Sequence, residues 1–309
     1  MRVAFFGSSH FSSLVLARLI ESRHEVACVV TQPDQPSGRS MTLTPTVVAL
    51  QGMAAGLTVL KPQKLRGDAV TEGQLRGMRL DALLVASYGQ ILPKRILDLT
   101  AWPLNVHPSD LPRLRGASPI RTALLQGLAR TACCIMRMTP RLDDGDVLLR
   151  EALELPDGWN YERAETALGE LGGTMTVEAL DLCAGGNVQL APQDSSQATY
   201  CSTYSRDDTW IDWSRPVEEL HNFVRAWDPD LGALTMLNGR RLKVWRAGPA
   251  EGQGPPGSIV SVERKCLTVA CGNGALSLFE VQPENKRRMG IAEFLAGNKL
   301  QPGISFDRH

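Results

Sequence analysis

Residues 1–31, MRVAFFGSSHFSSLVLARLIESRHEVACVVT, predict two β-strands joined by a helix. The apolar run Arg2–Phe6 ends at Gly7, and the apolar residues of Phe11–Ser22 recur with helical spacing. A second apolar run, Glu25–Thr31, follows the helix. Strands that alternate with helices predict an α/β fold built on a doubly wound, mostly parallel sheet.

The same alternation continues further along the chain. Apolar runs predict strands at Asp81–Ala86, Pro103–His107 and Ala132–Met138, and the last of these follows the helix-like stretch Pro119–Gln126. In parallel sheets of this kind, ligands bind beyond the carboxyl ends of the strands. We therefore expect the functional residues to follow these strands.

The second half of the chain changes character. Gly185–Gln197 has no periodicity and is typical of a linker, and Val217–Trp227 has helical spacing. The turns Asn238-Gly239 and Gly272-Asn273-Gly274 favour hairpins. Five short strands are predicted around these turns, at Ala233–Leu237, Arg241–Ala247, Ser258–Val262, Leu267–Ala270 and Ala275–Val281.

Five strands in this span suit a small OB-like β-barrel, a common nucleic-acid platform. The predicted organisation is therefore a catalytic domain over 1–185, a linker and bridging segment over 186–231, and an OB-like C-terminal domain over 232–309. This division places the strand and helix alternation before the linker and all of the hairpins after it.

The charges of the chain are balanced. Lys plus Arg and Asp plus Glu both total 33, so the formal charge is zero at pH 7. The balance argues against a protein that coats nucleic acid indiscriminately, although it permits a local basic face. No apolar run is long enough to span a bilayer, and the first residues lack a signal-peptide pattern. We therefore expect a cytoplasmic protein without membrane association.

The seven cysteines are scattered and form no Cys-x-x-Cys pair. Their odd number and spacing are typical of reduced thiols that serve as small apolar residues. We therefore expect neither disulfides nor a bound metal.

Two polar clusters follow predicted strands. Asn105 and His107 alternate along one strand and so share a face, and Pro108 ends that strand. Asp143 lies in the second cluster, Leu142–Asp146, after the strand Ala132–Met138. Acyl transfer to an amine needs a donor for the oxyanion and a base for the amine proton, which an Asn and a His can provide. A carboxylate would orient the imidazole and favour its protonated form.

A structural interpretation of the same residues remains open at this point. A His and an Asn at a strand end often form a hydrogen-bonded structural pair, and Asp143-Asp144-Gly145-Asp146 is also typical of a solvated turn. Spacing alone does not separate these interpretations.

Three motifs taken together resemble those of the folate-dependent formyltransferases. Residues 105–120, NVHPSDLPRLRGASPI, resemble the family signature Asn-x-His with its Arg-Gly-Ala-x-Pro-Ile run. Residues 142–146, LDDGD, are similar to Leu-Asp-Thr-Gly-Asp, and residues 87–93, SYGQILP, to Ala-Tyr-Gly-x-Ile-Leu-Pro. The resemblance covers nearly the whole chain.

The resemblance implies a Rossmann-like catalytic domain that uses 10-formyltetrahydrofolate as formyl donor and no metal. It implies that Asn105, His107 and Asp143 are the catalytic residues. It further implies a folate pocket lined by Ser87, Tyr88, Gly89, Ile91, Leu92, Ser109, Leu111, Pro112 and Asp143.

The end of the chain is similar to that of the family members that act on methionyl-tRNA. The similarity lies in residues 281–289, VQPENKRRM, and 300–303, LQPG. It implies formylation of initiator methionyl-tRNA in translation initiation, by an enzyme that we expect to be a monomer. Between residues 233 and 288, nine basic residues outnumber four acidic ones, which supports phosphate contact. The expected tRNA contacts are Arg39, Lys286, Arg287 and Arg288.

The chain also departs from the family pattern. Basic residues usually follow the position of Arg39, but Ser40-Met41-Thr42-Leu43 is neutral here. Gly7-Ser8-Ser9 replaces the usual Gly-Thr-Pro, and Asp110 replaces a leucine and adds a carboxylate near His107. These changes concern substrate recognition more than the three catalytic positions.

Four alternative functions are compatible with the predicted fold, and the residues disfavour two of them. The formyl acceptor could be an amino sugar or another small amine, or it could be water, as in related hydrolases. A dinucleotide-binding oxidoreductase is disfavoured because Gly7–Ser12 lacks the Gly-x-Gly-x-x-Gly pattern. An RNA-binding protein without activity is disfavoured by the intact Asn105, His107 and Asp143.

Overall fold

A computed structural model describes residues 1–37 and 41–307. The predicted contact Arg39 lies outside these residues. The chain divides into two compact units. The first comprises 1–119, 130–154 and 165–202, and the second comprises 120–129, 155–164 and 203–309.

The two units together contain seventeen strands, counted over the described residues. In chain order they are β1 Arg2–Gly7, β2 Glu25–Val30, β3 Gln35–Ser37, β4 Thr42–Thr44, β5 Thr58–Leu60, β6 Ala82–Ala86, β7 Trp102–His107, β8 Arg115–Gly116, β9 Arg130–Arg137, β10 Val147–Glu154, β11 Tyr200–Cys201, β12 Ala233–Leu237, β13 Arg240–Ala250, β14 Ile259–Glu263, β15 Cys266–Ala270, β16 Ala275–Pro283 and β17 Met289–Gly290.

Eight α-helices are found in the same described residues. They are α1 His10–Ile20, α2 Val47–Ala54, α3 Ala69–Gly77, α4 Lys94–Leu97, α5 Pro119–Leu125, α6 Tyr161–Gly185, α7 Val217–Trp227 and α8 Ile291–Gly297. Short 3-10 helices cover Ser195–Gln197 and Arg206–Thr209. None of these helices combines the length and the apolar character needed to cross a bilayer.

The first unit is built on a seven-stranded sheet with the order β10-β9-β7-β6-β1-β2-β5. Strands β5, β2, β1, β6 and β7 are parallel, whereas β9 is antiparallel to both β7 and β10. The central parallel strands β1, β6 and β7 are almost entirely buried, as expected when helices cover both faces of a sheet, whereas only Leu60 is buried in the edge strand β5. The predicted mostly parallel, doubly wound sheet is confirmed.

Helix α6 packs through glycines, which explains why the sequence predicts no element there. A Cβ on Gly169 would lie 2.6 Å from Leu14, and one on Gly172 would lie 2.8 Å from Val106. Glycine lowers helix propensity by about 1 kcal/mol, so local preference argues against a helix at these positions. The close approach to α1 and to β7 requires glycine nevertheless.

The second unit contains an antiparallel sheet with the order β12-β13-β16-β15-β14, and β17 pairs with β16. Its core includes one face of α7, whose Val217, Leu220, Phe223, Val224 and Trp227 are buried. The hairpin between β12 and β13 turns at the predicted Asn-Gly pair, where both residues have positive φ. The predicted C-terminal antiparallel domain is therefore confirmed.

Candidate active site

Strand β7 presents Asn105 and His107 on one face of the sheet. Both side chains are largely buried, with 8% and 4% of their surface exposed. Pro108 follows directly and cannot continue the strand ladder as a donor, so β7 ends at His107. The sequence therefore places this pair correctly.

The imidazole of His107 is oriented by a backbone carbonyl. Its Nε2 atom lies 2.9 Å from the carbonyl oxygen of Leu114. A carbonyl only accepts hydrogen bonds, so Nε2 carries a hydrogen, and Nδ1 carries the lone pair of the neutral ring. Nδ1 is thus the ring atom that can take up a proton.

Asp143 reaches Asn105 and His107 through a turn that folds back, and not because β7 and β9 end at the same edge of the sheet. Strand β9 runs antiparallel to β7, with Leu104 opposite Arg137, so the carboxyl ends of the two strands do not share an edge. The turn after β9 folds back instead, and Asp143 adopts a left-handed φ of 47°. The expectation of a common carboxyl edge is therefore corrected for Asp143, although the residue does reach Asn105 and His107.

Gly145 makes this turn possible. A Cβ at this position would lie 1.7 Å from the carbonyl oxygen of Arg137, so any side chain would force the turn away from β9. The amide of Arg137 also donates to the carbonyl of Asp146 at 2.9 Å. Close backbone packing therefore fixes the loop that carries Asp143.

The three side chains form one cluster around the Asp143 carboxylate. Its Oδ1 atom accepts a hydrogen bond of 3.4 Å from Asn105 Nδ2, and its Oδ2 atom lies 3.8 Å from His107 Nδ1. The amide of Gly116 donates to Oδ2 at 2.8 Å. The structure thus brings together all three predicted catalytic residues.

Gly116 reaches the carboxylate through a tight backbone approach. Its φ is 116°, and a Cβ there would lie 2.2 Å from the carbonyl oxygen of Cys201. Strands β8 and β11 pair at this point, with Gly116 opposite Cys201. Only glycine satisfies both the dihedral angle and the spacing.

The predicted folate segment, residues 87–92, follows the carboxyl end of β6. Ser87 and Gly89 have positive φ angles of 48° and 82°, which turn the backbone sharply. The side chains of Tyr88 and Leu92 are buried, whereas Ile91 is 84% exposed. The ring of Tyr88 packs edge-on against the ring of Phe6 at 5.5 Å, and burial raises the pKa of its hydroxyl.

A polar network at the ends of the parallel strands supports this segment. The carbonyl of Tyr88 accepts hydrogen bonds from Ser8 Oγ at 3.2 Å and from Gln32 Nε2 at 3.0 Å. Ser8 Oγ also accepts from the amide of Gln32 at 3.0 Å. Ser8, which departs from the family pattern, thus ties the ends of β1, β2 and β6 together.

The other predicted folate residues lie between β7 and β8. The side chains of Ser109 and Leu111 are fully buried, and Ser109 Oγ donates to the carbonyl of Arg113 at 2.7 Å. Asp110 forms an ion pair of 3.3 Å with Arg150. The added carboxylate of Asp110 is therefore matched by a cation.

The predicted tRNA contacts in the second unit differ in their surroundings. Lys286 is exposed, and Arg287 is paired with Glu293 at 2.7 Å. Arg288 is half-buried and holds two carboxylates, Asp228 at 2.7 Å and Glu280 at 2.5 Å. Arg288 is thus a compensated charge, whereas Lys286 presents its ammonium to solvent.

A cavity in the second unit brings Lys243, one of the nine basic residues counted between 233 and 288, together with Arg206, which the sequence does not single out. It measures about 560 Å³, and its walls include Arg206, Lys243 and the indole of Trp210. Burial, and then the neighbouring Arg206, lower the pKa of Lys243. The motif signal is weak here because Arg206 lies in a short 3-10 helix before the first strand of the domain.

Comparison with known proteins assigns the chain to a family. The formyl transferase family model matches residues 1–180, and the model of the formyl transferase C-terminal domain matches residues 204–299. The methionyl-tRNA formyltransferase of Dechloromonas aromatica is 38% identical over 310 residues, which cover 99% of each chain. That of Bacillus licheniformis is 40% identical over 307 residues, which cover 98% of this chain and 97% of the relative.

Among solved structures, HypX from Aquifex aeolicus in complex with tetrahydrofolic acid shares the fold. The match covers 98% of this chain and 50% of HypX, with a TM-score of 0.67 and 16% identity. The fold, the Asn105–His107–Asp143 cluster and the full-length relatives agree, and the chain belongs to the formyl transferase family, together with the methionyl-tRNA formyltransferases.

Proposed function

We propose that this protein transfers the formyl group of 10-formyltetrahydrofolate to the amino group of initiator methionyl-tRNA. The observation that carries the proposal is the buried cluster in which Asp143 binds Asn105 and faces the proton-accepting nitrogen of His107. Relatives of the same length bear the name of this activity and match both halves of the chain. We further propose that the enzyme acts in the cytoplasm as a monomer without membrane association.

Asn105 acts on the formyl oxygen. Its Nδ2 group carries two hydrogens, and one of them is directed to Asp143 over a long 3.4 Å contact. As the amine attacks, negative charge develops on the formyl oxygen, and a donor already fixed in a buried site stabilises this charge without reorganisation. The burial of Asn105 in β7 provides that fixed position.

His107 takes the proton that the attacking amine must lose. Nε2 remains bound to the Leu114 carbonyl, so the proton arrives at Nδ1. The resulting imidazolium is stabilised on one side by this carbonyl and on the other by the Asp143 carboxylate. His107 then returns the proton to the departing nitrogen of the folate, which completes the proton balance of the transfer.

The residues present fit a folate. The donor supplies a formyl group activated on nitrogen, attached to a flat heteroaromatic ring. Such a ring needs an apolar surface beside hydrogen-bonding edges. The exposed side chain of Ile91 and the sharply turned backbone of Ser87–Leu92 provide both. We propose that this segment, with Ser109, Leu111 and Pro112, holds the folate.

The second unit supports an RNA partner. The cavity is lined by the cations Arg206 and Lys243 and the indole of Trp210, together with the carboxylates Asp207, Asp230 and Glu284. Cations of this kind neutralise phosphates, and an indole offers a surface on which a base stacks. We propose that this cavity, Lys286 and Arg287 contact the tRNA, with Arg39 as a further contact. We propose that Arg288, also expected to contact the tRNA, instead binds Asp228 and Glu280. We also propose that the functional domains span 1–185 and 232–309, joined by 186–231, although the C-terminal family model begins earlier, at residue 204.

One assay separates the possible acceptors. The purified protein is incubated with radiolabelled 10-formyltetrahydrofolate and either methionyl-tRNA, free amino sugars or buffer alone. We expect formyl-methionyl-tRNA to be the main product, with much slower formylation of sugars and little free formate. Equal or faster transfer to a small amine, or release of formate without an acceptor, would contradict the proposal.

A further inference from the structure

Gln193 connects two segments that are far apart in sequence and that both meet at Asp143. Its Nε2 group donates to the carbonyl of Asp143 at 2.9 Å and to that of Gly145 at 2.7 Å. Its Oε1 atom accepts from Arg115 Nε at 3.1 Å and from Arg115 Nη2 at 2.8 Å. One side chain therefore holds both the turn after β9 and strand β8.

The chemistry of these hydrogen bonds requires an amide. Both hydrogens of Nε2 face carbonyl oxygens, which only accept, and Oε1 faces a guanidinium group, which only donates. A glutamate could still accept from Arg115, but its second oxygen would face the two carbonyls without a hydrogen to offer. The amide orientation is therefore fixed, with both Nε2 hydrogens and Oε1 engaged.

Gln193 and its partners act on the same carboxylate from two sides. Arg115 is 3% exposed, and the next residue, Gly116, donates its amide to Asp143 Oδ2 at 2.8 Å. Gln193 donates to the carbonyl of Asp143, whose left-handed φ of 47° is uncommon for a residue other than glycine, and this hydrogen bond helps to hold that conformation. The side chain of Asp143 is thereby held toward His107.

We infer that Gln193 is a positioning residue for the formyl transfer and that it acts through Asp143. It fixes the turn Asp143–Gly145 against Arg115, so that the carboxylate faces His107 Nδ1. This inference rests on the proposed function and on the proposed role of Asp143. Gln193 itself lies in the aperiodic segment before β11, and its side chain binds the turn and Arg115 rather than Asn105 or His107.

The test compares Gln193→Ala and Gln193→Glu with the wild-type enzyme. We expect kcat to fall by about 10- to 100-fold in both variants, because a misplaced catalytic group costs rate of this order. The KM values for folate and methionyl-tRNA should change by less than about threefold, because Gln193 acts on the position of Asp143 and not on substrate binding. Gln197→Ala is the matched control, because the side chain of Gln197 in the same segment binds Asp194 at 2.8 Å, and its removal should leave kcat unchanged.

A double-variant comparison distinguishes positioning from a general loss of structure. In the Asp143→Asn background, adding Gln193→Ala should lower single-turnover rates by less than about twofold, because the carboxylate it positions is absent. Equal effects of Gln193→Ala in both backgrounds would overturn the inference, as would wild-type kcat in both Gln193 variants. Thermal melting of Gln193→Glu, which keeps the size of the side chain, checks folding. If wild-type enzyme formylates no methionyl-tRNA, the proposed function fails, and this outcome is separate from the Gln193 result.

Discussion

His107 Nδ1 and Asp143 Oδ2 lie 3.8 Å apart, which is longer than a hydrogen bond and within the range of an ion pair. The carboxylate therefore influences the imidazole through charge, while the Leu114 carbonyl supplies the direct hydrogen bond. At the same time, the Gly116 amide donates a hydrogen bond to Asp143 Oδ2. The Leu114 carbonyl therefore orients the imidazole, whereas the Asp143 carboxylate stabilises its charge, and variants can separate these two roles.

Asp143→Asn should reduce turnover by about 100- to 10,000-fold, the usual contribution of general acid–base groups. The substitution conserves the volume of the side chain but removes the charge that stabilises the protonated His107. His107→Ala should cause a loss of the same order because it removes the base itself. Steady-state kinetics with methionyl-tRNA measure both variants, and circular dichroism checks the fold. Turnover near that of the wild type in a folded variant would exclude that residue from the mechanism.

Asn105→Ala should lower kcat while leaving folate binding nearly intact. Removal of an oxyanion donor raises the barrier by about 3 kcal/mol, or more than a hundredfold in rate. Folate affinity, measured by fluorescence quenching, should change far less, because Asn105 acts on the charge of the transition state. Matching losses of affinity and rate would show that Asn105 only binds the donor.

Gly145→Ala should abolish most activity and lower the melting temperature. The new methyl group would lie 1.7 Å from the Arg137 carbonyl, so the turn that carries Asp143 must move. Gly73→Ala is the matched control: Gly73 lies inside α3, and a Cβ there meets nothing within 4 Å. This control should keep full activity and gain about 0.5–1 kcal/mol of stability from helix propensity. An active, stable Gly145→Ala enzyme would contradict the proposed turn geometry.

The sequence predicts the positions of Asn105 and His107 because strand alternation and Pro108 are local rules. It does not predict how Asp143 reaches them, since β9 runs antiparallel and a left-handed turn returns the chain. The resemblance to the family identifies Asp143 without this geometry. Gln193 gives no signal in the sequence, because a single polar residue in an aperiodic segment reveals its role only through its hydrogen bonds with Asp143 and Arg115.

The helices are likewise predictable where the local sequence determines them and are missed where tertiary packing does. The predicted Val217–Trp227 matches α7, whose apolar residues follow helical spacing. The sequence predicts no element over α6, Tyr161–Gly185, because glycines that serve close packing weaken the helical signal. The hairpin of β12 and β13 is predictable because Asn-Gly encodes its turn locally.

Thiol reactivity should distinguish one cysteine from the other six. Cys266 is partly exposed, and the other six cysteines are buried. Burial raises the pKa of Cys28 to about 12 and that of Cys183 to about 11, so few of these thiols are ionised at pH 8. Ellman's reagent should therefore show one fast phase, which Cys266→Ser removes. Several fast phases in the native protein, or a fast phase that persists in Cys266→Ser, would contradict the burial of the other six thiols.

The basic residues of the second unit should differ in their contribution to tRNA binding. Removal of one cation that binds a phosphate lowers the slope of log affinity against log salt concentration by about one. Arg206→Ala with Lys243→Ala, and Lys286→Ala alone, should weaken tRNA binding and lower this slope, because these cations line the cavity or face solvent. Arg288→Ala should instead lower the melting temperature, since it leaves Asp228 and Glu280 without their common partner.

The controls for this prediction lie in the same unit. Lys299→Ala removes an exposed charge outside the cavity and should leave the slope unchanged. Formyl transfer at saturating methionyl-tRNA should survive in the cavity variants, because Asn105, His107 and Asp143 all belong to the first unit. If the cavity variants keep the wild-type affinity and salt slope, the cavity does not hold tRNA phosphates. The neutral residues that follow Arg39 would then favour a smaller amine acceptor, since neither that segment nor the cavity would offer cations that bind tRNA.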